Sequence, residues 1–383
     1  MGCGCTASEA PAPVAGCDRT RAGLVVTESG LSRSAWVEPG AHIVAEGVYR
    51  IPLPLPTDGL RAVNVYALRH QDGVALIDGG WALEVSEQAL IDALAMIECE
   101  LGDITRFLVT HAHRDHYTQA QAIRRRLGAR VALGWDERDS IRSIAARAQD
   151  PASAGPFPQV ALLRRADDPK LADLLAGIRP EGLRPDDWAD PDDWLRDGDR
   201  LWVGDRCLQV IATPGHTRGH VVFADDDHGL LFAGDQVLPH ITPSIGYEEV
   251  LEASPLADYL RSLHLMRERP DARLLPAHGP VGMDVHERID ELLEHHRLRL
   301  DECLRAVSRG ATSAREVAES LRWTRRATPL GDLDWFNRMM AVLETHAQLV
   351  VLDERGWTTV EQVGGVDRFH VADAAIGSAA EDG

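Results

Sequence analysis

Thr110-His111-Ala112-His113-Arg114-Asp115-His116 follows directly on the apolar run Phe107-Leu108-Val109. That run is short and rich in β-formers, so it reads as a buried strand with chemistry at its end. In an extended segment residues two apart point the same way, so His111 and His113 can clasp one ion. Asp115 and His116, past the strand at the start of the next helix, can turn toward a second. A loop that is merely rich in histidine is the competing account, and it requires no partners elsewhere.

Partners recur at later strand ends. Cys207 to Ala212 runs into Thr213-Pro214-Gly215-His216-Thr217-Arg218-Gly219-His220, Leu230 to Ala233 into Gly234-Asp235, and Arg273 to Ala277 into His278-Gly279. Imidazoles with carboxylates suit zinc, with manganese or iron as alternatives, and the lack of nearby cysteine argues for an open catalytic site over a closed thiolate one. One carboxylate, Asp235, can bridge two dications and offset their repulsion.

These motifs resemble those of the metallo-β-lactamase-fold superfamily: HxHxDH as His111-x-His113-x-Asp115-His116, PGHTxGH as Pro214 to His220, GD as Gly234-Asp235 and HG as His278-Gly279, in the same order. The resemblance covers about residues 43 to 283. It implies an α/β fold, an αββα sandwich with metals at one edge of two sheets. It puts His111, His113 and His216 on one metal, Asp115, His116 and His278 on the other, and Asp235 on both. His113 stands where the flavodiiron branch has an acid, which favours a zinc-type hydrolase with two Zn2+. Tyr117-Thr118 departs from the small residues many relatives carry there.

The reaction this implies is attack by a metal-bridging hydroxide on an ester, thioester or lactone carbonyl, one cation steadying the oxyanion. Asp115 is the candidate catalytic residue, orienting the nucleophile and passing a proton to the leaving group. Asp78, ending the Val74 to Ile77 strand, and His220 are candidates to support ligands from behind. Tyr117 and His240, which follow ligands in sequence, are candidate oxyanion donors. An iron-dependent persulfide oxygenase and an RNA-processing nuclease share the motifs, and a non-catalytic metal-binding scaffold is a further alternative. β-Lactam hydrolysis is disfavoured because no export signal is read.

Composition bounds these readings. With 383 residues and 44% hydrophobic side chains the chain can bury a large core. A formal net charge of −20 disfavours nucleic acid and anionic membranes as partners. No run approaches the roughly 20 apolar residues of a membrane span. Cys3, Cys5, Cys17, Cys99, Cys207 and Cys303 form no CxxC pair, which suits a reduced, cytoplasmic setting. Val14 to Cys17 mimics a lipoprotein box, but no charged segment and no apolar run precede it, and Met1-Gly2 with Thr6 fits an acylation signal only weakly. The expected partner is a small-molecule substrate, and homo-oligomerisation is left open.

The remaining organisation is coarse. Residues 1–40 read as a disordered leader and 41–284 as the catalytic domain. Within it 136–195, proline-rich with Phe157, Trp188 and Trp194, reads as a helical cap suited to an apolar substrate, or as a plain surface excursion. The Arg124 to Arg126 triplet reads as a solvated helix face. Residues 285–365 show three helical stretches and a hairpin formed by Leu349 to Leu352 and Trp357 to Val360, a winged-helix-like module. Its 14 acidic against 11 basic side chains favour packing or interaction over DNA binding. Residues 366–383 read as a flexible tail.

Overall fold

Apolar side chains alternate between two burial sites along nearly every central strand, so both faces of each sheet must be covered. The computed structural model describes residues 35–56, 59–151, 155–179 and 182–372. Residues 1–34 and 373–383, which hold most of the expected leader and tail together with Cys3, Cys5, Cys17 and both targeting mimics, lie outside the described residues.

The first sheet takes its strands in chain order: β1 (His42–Ala45), β2 (Val48–Pro54), β3 (Ala62–His70), β4 (Gly73–Ile77), β5 (Ile104–Val109), β6 (Arg130–Gly134) and β7 (Asp193–Leu195). Pairing is antiparallel as far as β4 and parallel from there to β7. Parallel neighbours need crossovers, supplied by α1 (Glu84–Met96), α2 (Arg114–Leu127) and the trio α3 (Arg138–Gln149), α4 (Gln159–Arg165) and α5 (Pro169–Gly177). The second sheet has the order β12-β11-β10-β9-β8, from β8 (Arg200–Val203), β9 (Arg206–Ala212), β10 (Val221–Asp225), β11 (Leu230–Gly234) and β12 (Arg273–Pro276). Its one parallel pair, β11 with β12, is bridged by α6 (Pro255–Arg267).

Between the sheets lie Tyr66, Leu68, Ile77, Leu108, Phe223, Phe232 and Leu275. Their sequence neighbours face outward: Val65, Leu76, Phe107 and Val109 pack under α1 and α2, while Val222, Leu231 and Leu274 pack under α6 and the C-terminal helices. The result is the αββα sandwich. Phe232 meets Tyr66 edge-on at 5.5 Å in the middle layer, where cutting it to alanine would cost about 3–5 kcal/mol.

The C-terminal part comprises α7 (Val285–Ser308), α8 (Ala314–Ser320), α9 (Trp335–Glu354), β13 (Thr358–Val363) and β14 (Val366–Val371). Two expectations change here. Leu349 to Leu352, read as a strand, belongs to α9, and the hairpin pairs Thr358 with Val371 instead. Residues 366–371, assigned to a flexible tail, are therefore a hydrogen-bonded strand. α9 is buried around most of its circumference, so its apolar residues lack the one-sided period that announces a helix.

The 136–195 stretch is also more integral than a cap. It opens on α3 and closes on the sheet strand β7. Leu163, Leu171 and Leu175 of α4 and α5 share a core with Val317 and Leu343. Arg165–Asp367 (2.8 Å) and Arg368–Asp167 (3.0 Å) reinforce that seam. Residues 35–37, within the expected leader, form a short 3-10 turn, and the Trp36 carbonyl accepts from buried Arg50. Among the described residues no helix is long and apolar enough to cross a membrane.

Candidate metal centre

β9, β11 and β12 run the same way in the second sheet, as do β4 and β5 in the first, and the segments after all five converge on one edge. Parallel direction therefore gathers residues that lie up to 200 positions apart. The edge is stitched between sheets: the Val221 amide donates to the Thr110 carbonyl (2.9 Å) and the Asn64 amide to Ala277 (2.6 Å).

Two groups of donors form there. His111, His113, His216 and Asp235 make one, and Asp115, His116 and His278 the other. In the first, Nδ1 of His113 lies 2.9 Å from Nε2 of His111 and 3.1 Å from Nε2 of His216. Asp235 spans the groups: Oδ2 is 3.4 Å from His216 Nε2, and Oδ1 is 3.4 Å from His278 Nε2 and 3.8 Å from His116 Nε2. Asp115 Oδ2 sits 3.5 Å from His278 Nε2 and 3.7 Å from His116 Nε2. His113 and Asp115 are half-buried and the other five are buried, so the centre opens on their side.

Four of the imidazoles, His111, His116, His216 and His278, are held from behind in one tautomer each. His216 Nδ1 donates to the Ser244 carbonyl (2.8 Å) and His278 Nδ1 to that of Ala62 (2.7 Å), so each turns a lone pair inward from Nε2. His116 Nδ1 faces Asp78 Oδ2 at 2.9 Å. Thr110 donates its hydroxyl to Asp78 (3.0 Å) and so receives His111 Nδ1 (3.0 Å). His220 is not among the converging donors: its Nε2 accepts the Asp235 amide (3.2 Å) and its Nδ1 faces the Thr213 hydroxyl (2.9 Å). Its ring also stacks on His111 at 5.0 Å.

The charge pattern fits divalent cations. His116 Nε2, His278 Nε2 and Asp235 Oδ1 are buried without a hydrogen-bond partner, which is costly unless an ion completes them. Burial and the neighbouring imidazoles, His216 foremost, bring His113 down to about 3, and His111 falls well below the usual histidine range for the same reasons. Both are neutral donors at pH 7. Burial alone would lower His116 too, but Asp78, Asp115 and Asp235 outweigh it and carry it up to about 10. Three carboxylates around one imidazole leave an excess of negative charge that dications balance.

Other candidates lie elsewhere. Tyr117 is turned away from the donor groups: it is fully buried, donates to the Ala189 carbonyl (2.5 Å) and lies 6.3 Å from the Trp188 ring. One residue on from His116 is about 100° around the helix, which sends it into the core, so it is no oxyanion donor. His240 is exposed, its Nδ1 2.9 Å from the Pro239 carbonyl. Trp188 is core and Trp194 sits on the edge strand β7, against Trp135; of the three expected pocket aromatics only Phe157 lines the cavity beside His113. That cavity also meets Glu137, Thr217, Tyr247 and Glu248. Arg124, Arg125 and Arg126 pair with Asp192, Asp187 and Glu87 at 2.7, 2.6 and 2.9 Å.

Three supporting residues escaped the sequence reading. Asn64 donates its side-chain amide to the carbonyls of Pro276 (3.0 Å) and Gly279 (2.9 Å), bracketing His278. Thr110 orients His111, and buried Glu137 accepts from the Thr217 hydroxyl beside His216. Burial raises the Glu137 carboxyl to about 7, against the Thr217 and Ala112 hydrogen bonds that pull it down. Only Thr110, adjacent to the motif, carried any local signal.

Comparison with known proteins agrees with this geometry. The profile of the metallo-beta-lactamase superfamily matches residues 58–278. "Beta-lactamase-like protein 2 homolog" of Caenorhabditis elegans is 35% identical over 100 residues, 26% of this chain, and the match spans only 31% of that protein. "Probable metallo-hydrolase YqjP" of Bacillus subtilis is 23% identical over 300 residues, 73% of this chain and 86% of that protein. Among solved structures, a metallo-beta-lactamase family protein of Thermus thermophilus superimposes with a TM-score of 0.66 at 28% identity, covering 86% of this chain and all of that one. A beta-lactamase domain protein of Burkholderia ambifaria gives 0.67 at 27% identity, covering 87% and 95%. With its profile, sandwich and paired donor groups, the chain belongs to the metallo-beta-lactamase superfamily.

Proposed function

We propose that this chain is a dinuclear zinc hydrolase acting on the carbonyl of a small ester, thioester or lactone. The observation that carries the reading is the span of Asp235, whose two oxygens face different donor groups at 3.4 Å each. His111, His113, His216 and Asp235 Oδ2 would hold one cation, and His116, His278, Asp115 and Asp235 Oδ1 the other. Such a pair supplies an ionised water near neutral pH and a Lewis acid for the carbonyl.

The chain's own residues do the rest. Asp115, half-buried where the other carboxylate ligand is buried, is the acid best placed to pass a proton between the nucleophile and a departing alkoxide or thiolate. His216 and His278 are locked by backbone carbonyls, so the donor geometry is set before substrate arrives. Substrate enters on the half-buried side, where the cavity beside His113 takes the organic portion.

The test is a chromogenic ester, thioester and lactone panel on the wild type and Asp235→Asn, with elemental analysis of both. The expected result is about two zinc ions per wild-type chain and turnover in at least one class, with metal and activity lost together in the variant. One iron per chain with oxygen consumption would overturn the reading, as would undiminished activity in Asp235→Asn.

A further inference from the structure

The cavity beside His113 is small, about 130 Å³, well under the roughly 300–1,000 Å³ of pockets that enclose an organic ligand. A substrate with a longer organic part must run out over the surface. Beside Glu137, Glu248 and Glu249, the cavity presents an aromatic side. Phe157 and Tyr247 wall the cavity, the Tyr247 ring meets Phe336 at 5.8 Å, and Phe336 meets Trp335 at 5.7 Å, each pair edge-on. Three rings in series thus lead outward from the metal centre.

Two features set this row apart from scattered surface aromatics. Phe336 and Trp335 remain 40% and 42% exposed, so the row ends in usable apolar area instead of a closed core. Both stand on the first turn of α9, which the Asp334 carboxylate caps by accepting the Asn337 amide at 3.0 Å. The platform is therefore fixed in place, and it is contributed by the C-terminal part of the chain, not by the sandwich.

We propose that Tyr247, Phe336 and Trp335 form a track for the apolar acyl chain of the substrate, and that α9 thereby sets acyl-length preference. The inference rests on the hydrolase reading for the position of the carbonyl, but the track itself is a binding surface. Its occupant is an unbranched acyl chain, since the edge-on rings of Tyr247, Phe336 and Trp335 offer a narrow apolar strip whose outer two members are exposed.

The test uses the full chain loaded with zinc and p-nitrophenyl esters from acetyl to decanoyl. In the wild type kcat/KM should climb up to about fourfold per added methylene while the chain lies on the track. Phe336→Ala should lower the decanoyl-to-acetyl ratio by about tenfold. Trp202→Ala, which removes a 62% exposed tryptophan on β8, should leave that ratio at the wild-type value. Calorimetric titration with decanoate gives a second readout that needs no turnover, and its Kd should weaken about tenfold in Phe336→Ala. An unchanged ratio together with unchanged decanoate affinity overturns the track. Absence of esterase activity with decanoate binding that Phe336→Ala weakens supports the track and removes only the hydrolase reading.

Discussion

Asp78 Oδ2 lies 2.9 Å from Nδ1 of His116, and Asp78 itself has φ of 62°. A left-handed backbone is uncommon outside glycine, and aspartate is among the few side chains that enter it, where local hydrogen bonds hold it. Here the Thr110 amide and hydroxyl both donate to the same carboxylate, at 2.8 and 3.0 Å. One acid at the end of β4 therefore orients His116 directly and His111 through Thr110, so it touches both donor groups without joining either.

Asp78→Asn keeps the size of the side chain and removes its charge. Zinc affinity should fall about 10- to 100-fold, the usual effect of losing a carboxylate behind a ligand imidazole. Competition with a chromogenic chelator measures this. Affinity equal to wild type would mean that Asp78 serves only the turn.

Metal should also stabilise the fold, because Asp78, Asp115 and Asp235 crowd His116 with negative charge. Adding zinc to chelator-stripped protein at about 100 times Kd should contribute about 2.7 kcal/mol and raise Tm accordingly. In Asp235→Asn at the same zinc concentration the increment should shrink, since asparagine offers a single uncharged oxygen where the carboxylate offers one to each group. Scanning calorimetry with and without zinc decides it, and an equal increment in the variant would refute a shared ligand.

What the sequence makes legible depends on where each signal lies. The HxHxDH run, His216, Asp235 and His278 were legible because each ends an apolar strand, and strand ends on one edge converge. Tyr117 was misplaced by reading adjacency along the chain as adjacency in space, although α2 turns it away from His116. Leu349 to Leu352 misled for the opposite reason: helix α9 is buried nearly all round, so four apolar residues in a row looked like a strand. Asn64 gave no signal at all. Its role depends on Pro276 and Gly279, more than 200 residues away, and a single asparagine within an apolar strand has no pattern to read.

Gly215 has φ of 139°, and a Cβ there would lie 2.4 Å from the Tyr259 Cα on α6. Backbone cannot yield as a flexible side chain does, so Gly215→Ala should cost about 3 kcal/mol or more. It should also displace His216, the next residue, and weaken metal binding. Thermal unfolding of the zinc-loaded protein should show a lowered Tm, and the same Tm as wild type would mean that α6 moves freely.

Asp367 joins the hairpin to both α9 and α4: its Oδ2 lies 2.8 Å from His346 Nε2 and accepts from Arg165 at 2.9 Å. Burial works against its charge, but those two bonds, His346 first, bring the carboxyl from the ordinary 3.8 to about 2. A carboxyl lower in the folded than in the unfolded chain binds fewer protons when folded. Its stabilising contribution is therefore complete above about pH 4 and lost as the pH falls through 2. Protection factors of the β13 and β14 amides, corrected for the intrinsic pH dependence of exchange, should fall across that window. In Asp367→Asn those amides should exchange faster already at pH 6, and the dependence between pH 4 and 2 should flatten. A hairpin that opens with the same acid profile in variant and wild type would show that this carboxylate does not fasten it.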